Sequence, residues 1–162
     1  MPKAYSRRQI RLHWLVFILV VVQFVLNDSI HEAWHKVERG IAFEPSPLVI
    51  SHVAIGFLLL ALTIWRLIVR KRRGVPALPE NEPPLMKLAA HVAHISLYVL
   101  MFLIPISGAV AWFGPLGLAA EGHELLTSLL LFVGGAHVAA ALYHQFVLKT
   151  NLMDRMRTPD TE

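Results

Sequence analysis

The 162-residue chain contains no cysteine. That excludes disulfides, iron–sulfur clusters, thiolate zinc sites and covalent haem attachment through a Cys-x-x-Cys-His motif. Charge is scarce as well. Only 16% of residues are Asp, Glu, Lys or Arg, while 56% are hydrophobic, a balance too apolar for an ordinary soluble domain. None of the 11 Asp and Glu falls deep within an apolar run, which argues against a cation-transport path through the interior. No repeat with a period of roughly 20–50 residues is present. The net charge of +4 comes from basic residues that flank apolar runs and do not interleave with aromatics, so nucleic acid is not an expected partner. The first apolar run ends at Asn27-Asp28-Ser29-Ile30 with no small-residue cleavage site, so it reads as a retained helix and not a signal peptide.

Present instead are four long apolar runs, each near or beyond the ~20 residues that cross a bilayer. The expected fold is all-α: an integral membrane four-helix bundle forming one membrane domain, 1–162, with helices at about 7–27, 47–70, 85–113 and 121–148. Ser6-Arg7-Arg8-Gln9 fits a capping box opening the first helix, and Ser46-Pro47 places an N-cap before a first-turn proline. Between these helices, Ile30, Trp34 and Val37 share one face of a short interfacial helix within the polar stretch from Asp28 to Ser46. Arg70-Lys71-Arg72-Arg73-Gly74 stops the second long helix ahead of a Pro-rich loop, Val75 to Pro84. Pro105 with Gly108 predicts a kink in the third, and the polar tail after Lys149 predicts mobility. Thirteen Lys and Arg lie on the side of the termini and the Pro-rich loop, against Lys36 and Arg39 opposite, so both termini are expected in the cytoplasm.

Histidines are the chemistry-bearing residues of these runs. His123 and His137 lie 14 residues apart on the last helix, which returns them to nearly one face and separates them by roughly 21 Å along the axis. An ionisable side chain within a membrane segment is costly and reads as functional. Sorted by depth, His52 is level with His123 in the outer half, and His13 with His137 in the inner half. Two imidazole pairs at two levels can hold two haem irons, with Gly56, Gly134 and Ala141 leaving bare helix surface for a flat porphyrin. Polar residues gluing helices together would explain the small residues but not two matched layers. On depth alone His144 competes with His137 as the partner of His13. His91 and His94 open the third helix on the inner side, where they could line a quinone pocket, and His31 and His35 stand one turn apart on the outer side. Arg8, Arg66 and Arg70 are candidates to pair with inner haem propionates.

Together these segments resemble the bacterial cytochrome b561 family, within the wider group that includes the b subunit of nickel–iron hydrogenases. The resemblance spans nearly the whole chain. It rests on Tyr5-Ser6-Arg7 leading to Ile10-Arg11-Leu12-His13-Trp14, on Ile50-Ser51-His52-Val53 with Gly56, and on His91-Val92-Ala93-His94 with Pro105-Ile106-Ser107-Gly108. Gly122-His123-Glu124 and Gly135-Ala136-His137 through Leu142-Tyr143-His144 complete it. It implies two haem b groups with iron ligands His13, His52, His123 and His137, a bacterial inner-membrane location, ubiquinone as substrate at the inner side, and superoxide as electron donor at the outer haem. A second reading makes the chain a haem-bearing anchor that takes electrons from a dehydrogenase or periplasmic cytochrome docked on its acidic outer loops.

Overall fold

The computed structural model describes residues 4–77 and 82–159. Within them the chain is helical throughout, with no strand: α1 (Arg7–Val25), α2 (Asn27–Glu38), α3 (Pro47–Arg73), α4 (Pro84–Phe113), α5 (Gly117–Phe146) and a short 3-10 turn at Asp154–Met156. Residues 78–81 of the Pro-rich loop and Lys3 lie outside the described residues. Helices α1, α3, α4 and α5 have 19, 27, 30 and 30 residues and are apolar enough to cross a membrane. At ~1.5 Å per residue even the shortest nearly matches a hydrocarbon core of about 30 Å.

Local chemistry explains the helix ends. The Ser6 hydroxyl accepts from the Gln9 amide and the Gln9 side chain accepts from the Ser6 amide, closing the capping box. The Gln9 amide group also donates to the Gly74 carbonyl at 3.0 Å, tying the start of α1 to the end of α3. Ser46 caps α3 through the Val49 amide, with Pro47 in the first turn. Helix α3 runs through the basic cluster to Arg73 and ends where Gly74 turns to φ 75°, a region that favours glycine. Helix α5 begins four residues earlier than its apolar run suggests, because the Leu116 carbonyl accepts from the Ala119 and Ala120 amides and starts the helix ahead of Glu121. Helix α4 continues through Pro105 to Phe113. The interfacial helix α2 is a full 12 residues and follows α1 almost directly.

One sequence expectation fails near the ends of the chain. The described part of the tail, residues 150–159, is docked, not loose. The Trp14 indole donates to the Met156 carbonyl at 2.8 Å, and Arg155 donates to the Ala77 carbonyl at 2.7 Å. Polar composition concealed this, since what holds the tail is largely its own main chain. Nor does the Pro-rich stretch announce Glu82, whose side chain is 5% exposed and pairs with His144 at 3.3 Å.

The core is a layer of Leu12, Val16, Leu59, Leu62 and Met101, with Leu130 packed against it. Leu130 lies midway in sequence between His123 and His137, so this apolar layer separates the two histidine levels. Helix α5 packs chiefly along α4, with no extended packing on α1 or α3 among the described residues.

Candidate cofactor site

Three helices place these four histidines. His13 stands on α1 two turns past the capping box, His52 on α3 one turn past its Ser46–Pro47 start, and His123 and His137 both on α5. The structure brings His13 and His137 together with ring centroids 6.5 Å apart, and His52 and His123 at 6.4 Å. Metal–imidazole nitrogen bonds run about 2.0–2.1 Å, so two rings clasping one metal from opposite sides have centroids roughly 6.3 Å apart. Both pairs match that separation. Each pair also joins helices that do not otherwise pack closely, α1 with α5 and α3 with α5. A Cβ added at Gly134 or Gly135, beside His137, would meet nothing within 4 Å. Among the described residues no three His, Cys, Asp or Glu converge as a bare metal ion would need.

The His52–His123 pair shows how one of these rings is aimed. His123 Nδ1 lies 2.9 Å from the Ile104 carbonyl oxygen, which can only accept, so Nδ1 carries the proton and Nε2 keeps its lone pair. The Ser107 hydroxyl stands 3.3 Å from the same nitrogen. A carbonyl on the far nitrogen is the usual partner of a metal-binding imidazole, fixing its tautomer and orientation. Gly108 makes the approach possible: a Cβ there would sit 2.9 Å from His123 Cε1 and 3.0 Å from Nδ1. Its partner His52 is aligned differently. Gln23 donates from Nε2 to the His52 carbonyl at 2.9 Å, and His52 Nδ1 itself is buried without a hydrogen-bond partner.

At the inner level the surroundings are cationic. Arg66 Nη2 donates to His13 Nδ1 at 3.1 Å, and the Arg66 and Arg70 guanidinium groups lie 5.5 and 5.9 Å from the Tyr98 ring centre. Burial pushes the Tyr5 phenol above its ordinary value, with Arg70 and Arg155 pulling the other way. Because guanidinium only donates, Nδ1 of His13 is an acceptor in this arrangement. Ligation by a neutral His13 through Nε2 therefore requires Arg66 to release it, freeing the guanidinium for a carboxylate.

His94 was legible only as a residue at the rim. The structure sets its ring 5.3 Å from that of His137, nearer than His13, making a third imidazole at the inner level. Its depth, ten residues inside α4 or roughly 15 Å, was the available signal. His144 turns away from this level, toward Glu82 through Nε2 and Thr150 through Nδ1 at 3.2 Å. The ring facing His13 is that of His137. On the outer side His35 contacts Glu38 at 3.4 Å.

The model of the family described as prokaryotic cytochrome b561 matches residues 4–159. The chain belongs to that family. It is therefore a multi-pass haem protein of the bacterial inner membrane, with haem b as the family's cofactor and electron transport as its role. Among its relatives is cytochrome b562 of Cereibacter sphaeroides, 34% identical over 156 residues that cover 96% of each chain. A protein named probable superoxide oxidase CybB, from Yersinia pestis, is 33% identical over 181 residues, covering 96% of this chain and 97% of that one. Cytochrome b561 homolog 1 of Escherichia coli is 26% identical over 175 residues.

Proposed function

We propose that this cytochrome b561 carries two haem b groups, one gripped by His13 and His137 and the other by His52 and His123, and moves electrons across the membrane from an outer donor to ubiquinone. The observation that carries this reading is the pair of facing imidazoles at 6.5 and 6.4 Å on two levels divided by an apolar layer. Haem bound between these rings would supply one-electron redox chemistry, with His13 and His137, and His52 and His123, as the residues that would hold it. The chain's own residues do the rest. Ile104 and Ser107 orient His123, and the leucine layer with Val16 and Met101 keeps water from between the levels. Arg66 supplies positive charge at the inner level. The 13 to 2 distribution of Lys and Arg orients that level, and both termini, to the cytoplasm. His94 and the basic rim around Arg70 are the candidate surroundings of quinone.

For the donor, kinship with a protein named probable superoxide oxidase favours superoxide. A specific observation supports a second reading. The outer side carries Asp28, Glu32, Glu38, Glu44, Glu121 and Glu124 against Lys36 and Arg39, which is 2 − 6 = −4. Lys36 is already engaged by Glu32 at 2.8 Å and lies over the Phe43 ring. Such a face repels an anion and suits a basic partner protein.

The first measurement is a reduced-minus-oxidised spectrum with haem counted per chain, expected at two. Pulse-generated superoxide then separates the donors. Reduction near the diffusion limit identifies superoxide. Slow reduction, together with fast salt-sensitive reduction by a basic cytochrome c, identifies the docked partner. One haem per chain, or none after adequate haem supply, would overturn the proposal.

A further inference from the structure

The two outer histidines face the same requirement and meet it unequally. A neutral imidazole that binds iron through Nε2 must carry its proton on Nδ1, and a buried N–H needs an acceptor. His123 has the Ile104 carbonyl. His52 Nδ1 is buried with no partner, and so is one nearby acceptor, Oε1 of Gln23.

The same Gln23 amide is already held against residue 52, since its Nε2 donates to the His52 main-chain oxygen at 2.9 Å. Nδ1 is the ring nitrogen closer to the histidine's own backbone, so an amide lying along that backbone is within reach of it. The amide also lies beside Gly56, one turn on, where a Cβ would stand 3.6 Å from Gln23 Nε2, in ordinary contact. Gln23 stands in the last turn of α1 with Oε1 buried, and a buried amide is costly unless both of its ends are used. Nothing else in the proposed function uses it.

We propose that Gln23 is the positioning residue of the outer site: its side-chain carbonyl accepts the Nδ1 proton of His52 and so turns Nε2 toward His123. A small rotation of the ring or of the amide would close the bond. Gln23 and Ile104 then play one role from opposite helices, α1 and α4, toward the two ligands of one metal. This inference rests on the assignment of His52 as an outer ligand. The competing acceptor is the Leu48 carbonyl one helical turn before His52, which would leave Gln23 without a part.

The test is a redox titration of the purified protein, with its outer component identified as the one that His52→Ala removes. Gln23→Met keeps the length and loses the acceptor. The outer potential should rise, because a less polarised imidazole is a weaker donor to iron, and haem affinity at that site should fall roughly 10–100-fold. Gln23→Glu keeps an acceptor and strengthens it, so the outer potential should fall. Opposite shifts with the inner component unmoved would support the inference, and that unmoved component also shows that each variant is folded. If neither substitution moves the outer potential or affinity, Gln23 has no positioning role. If His52→Ala leaves both components in place, the ligand assignment fails first and this inference with it.

Discussion

Gly108→Ala isolates how His123 is aimed. The substitution adds one methyl carbon, 2.9 Å from Cε1 and 3.0 Å from Nδ1 of the ring. Non-bonded carbons rest about 3.5–4.0 Å apart, so the imidazole must retreat by roughly 0.5–1 Å. It cannot do so freely. Its Nδ1 is tied to the Ile104 carbonyl on α4, one turn before Gly108 on the same helix. A retreat of that size stretches a 2.9 Å hydrogen bond to the limit of useful length. It also displaces Nε2 by several times the ~0.2 Å within which metal–ligand distances normally hold. Loss of an outer-shell partner lowers metal affinity about 10–100-fold, so the outer haem should be largely absent after purification while the inner one remains. Helix stability works in the opposite direction, since Ala is favoured over Gly in a helix interior by about 1 kcal/mol. A variant that folds normally with one haem per chain is therefore the expected result. Gly117→Ala, where a Cβ meets open space, should keep two and serves as the control. Two haems in Gly108→Ala with an unchanged outer spectrum and potential would refute the steric argument.

The remaining predictions concern the inner level. His137→Ala and His13→Ala should each remove the inner haem and spare the outer, whereas His144→Ala should keep both; loss of the inner haem from His144→Ala alone would reverse the pairing. Glu82→Ala leaves His144 Nε2 without its buried partner, so thermal unfolding should show a loss of about 1–3 kcal/mol, and an unchanged Tm would mean the contact carries no stability. Arg66→Leu removes a positive charge beside His13. At an effective dielectric of about 20 and a distance of roughly 7 Å that charge stabilises an added electron by roughly 2 kcal/mol, so the inner potential should drop by roughly 0.1 V in a redox titration.

Much of this protein was open to inference from periodicity and caps alone. Ser6–Gln9, Ser46–Pro47 and Gly74 announced helix ends because capping depends on a few adjacent residues. The two histidine levels followed from rise per residue, since a membrane fixes both the axis and the depth of each span. Other contacts between separate elements were not legible. Nothing local marks Glu82 as buried, because its partner His144 is 62 residues away. The same holds for Trp14 and Met156, 142 residues apart. Nor do the acceptors for the imidazole Nδ1 protons leave a local trace. A main-chain carbonyl such as Ile104 has no sequence signature, and only the flanking Pro105 and Gly108 mark that stretch of α4 as unusual. Gln23 did carry a signal, an amide within an apolar helix, but its meaning depends on where residue 52 lands.

The two levels differ in what surrounds their imidazoles, and the difference has a direction. At the outer level Nδ1 of His123 meets an uncharged carbonyl, and the nearby surface is acidic. At the inner level a guanidinium touches His13, and Arg70 stands close by over Tyr98. On the proposed reading, negative charge gained on reduction would be opposed at the His52–His123 level and stabilised at the His13–His137 level, so the fixed charges would favour an electron passing from the first level to the second. On that reading the lysines and arginines that orient membrane helices during insertion would also bias electron flow. Salt screens exposed charge but reaches Arg66 far less, because that side chain is partly buried. The potential difference between the two levels should accordingly persist at high ionic strength, while any dependence of the outer reaction on a charged donor should weaken.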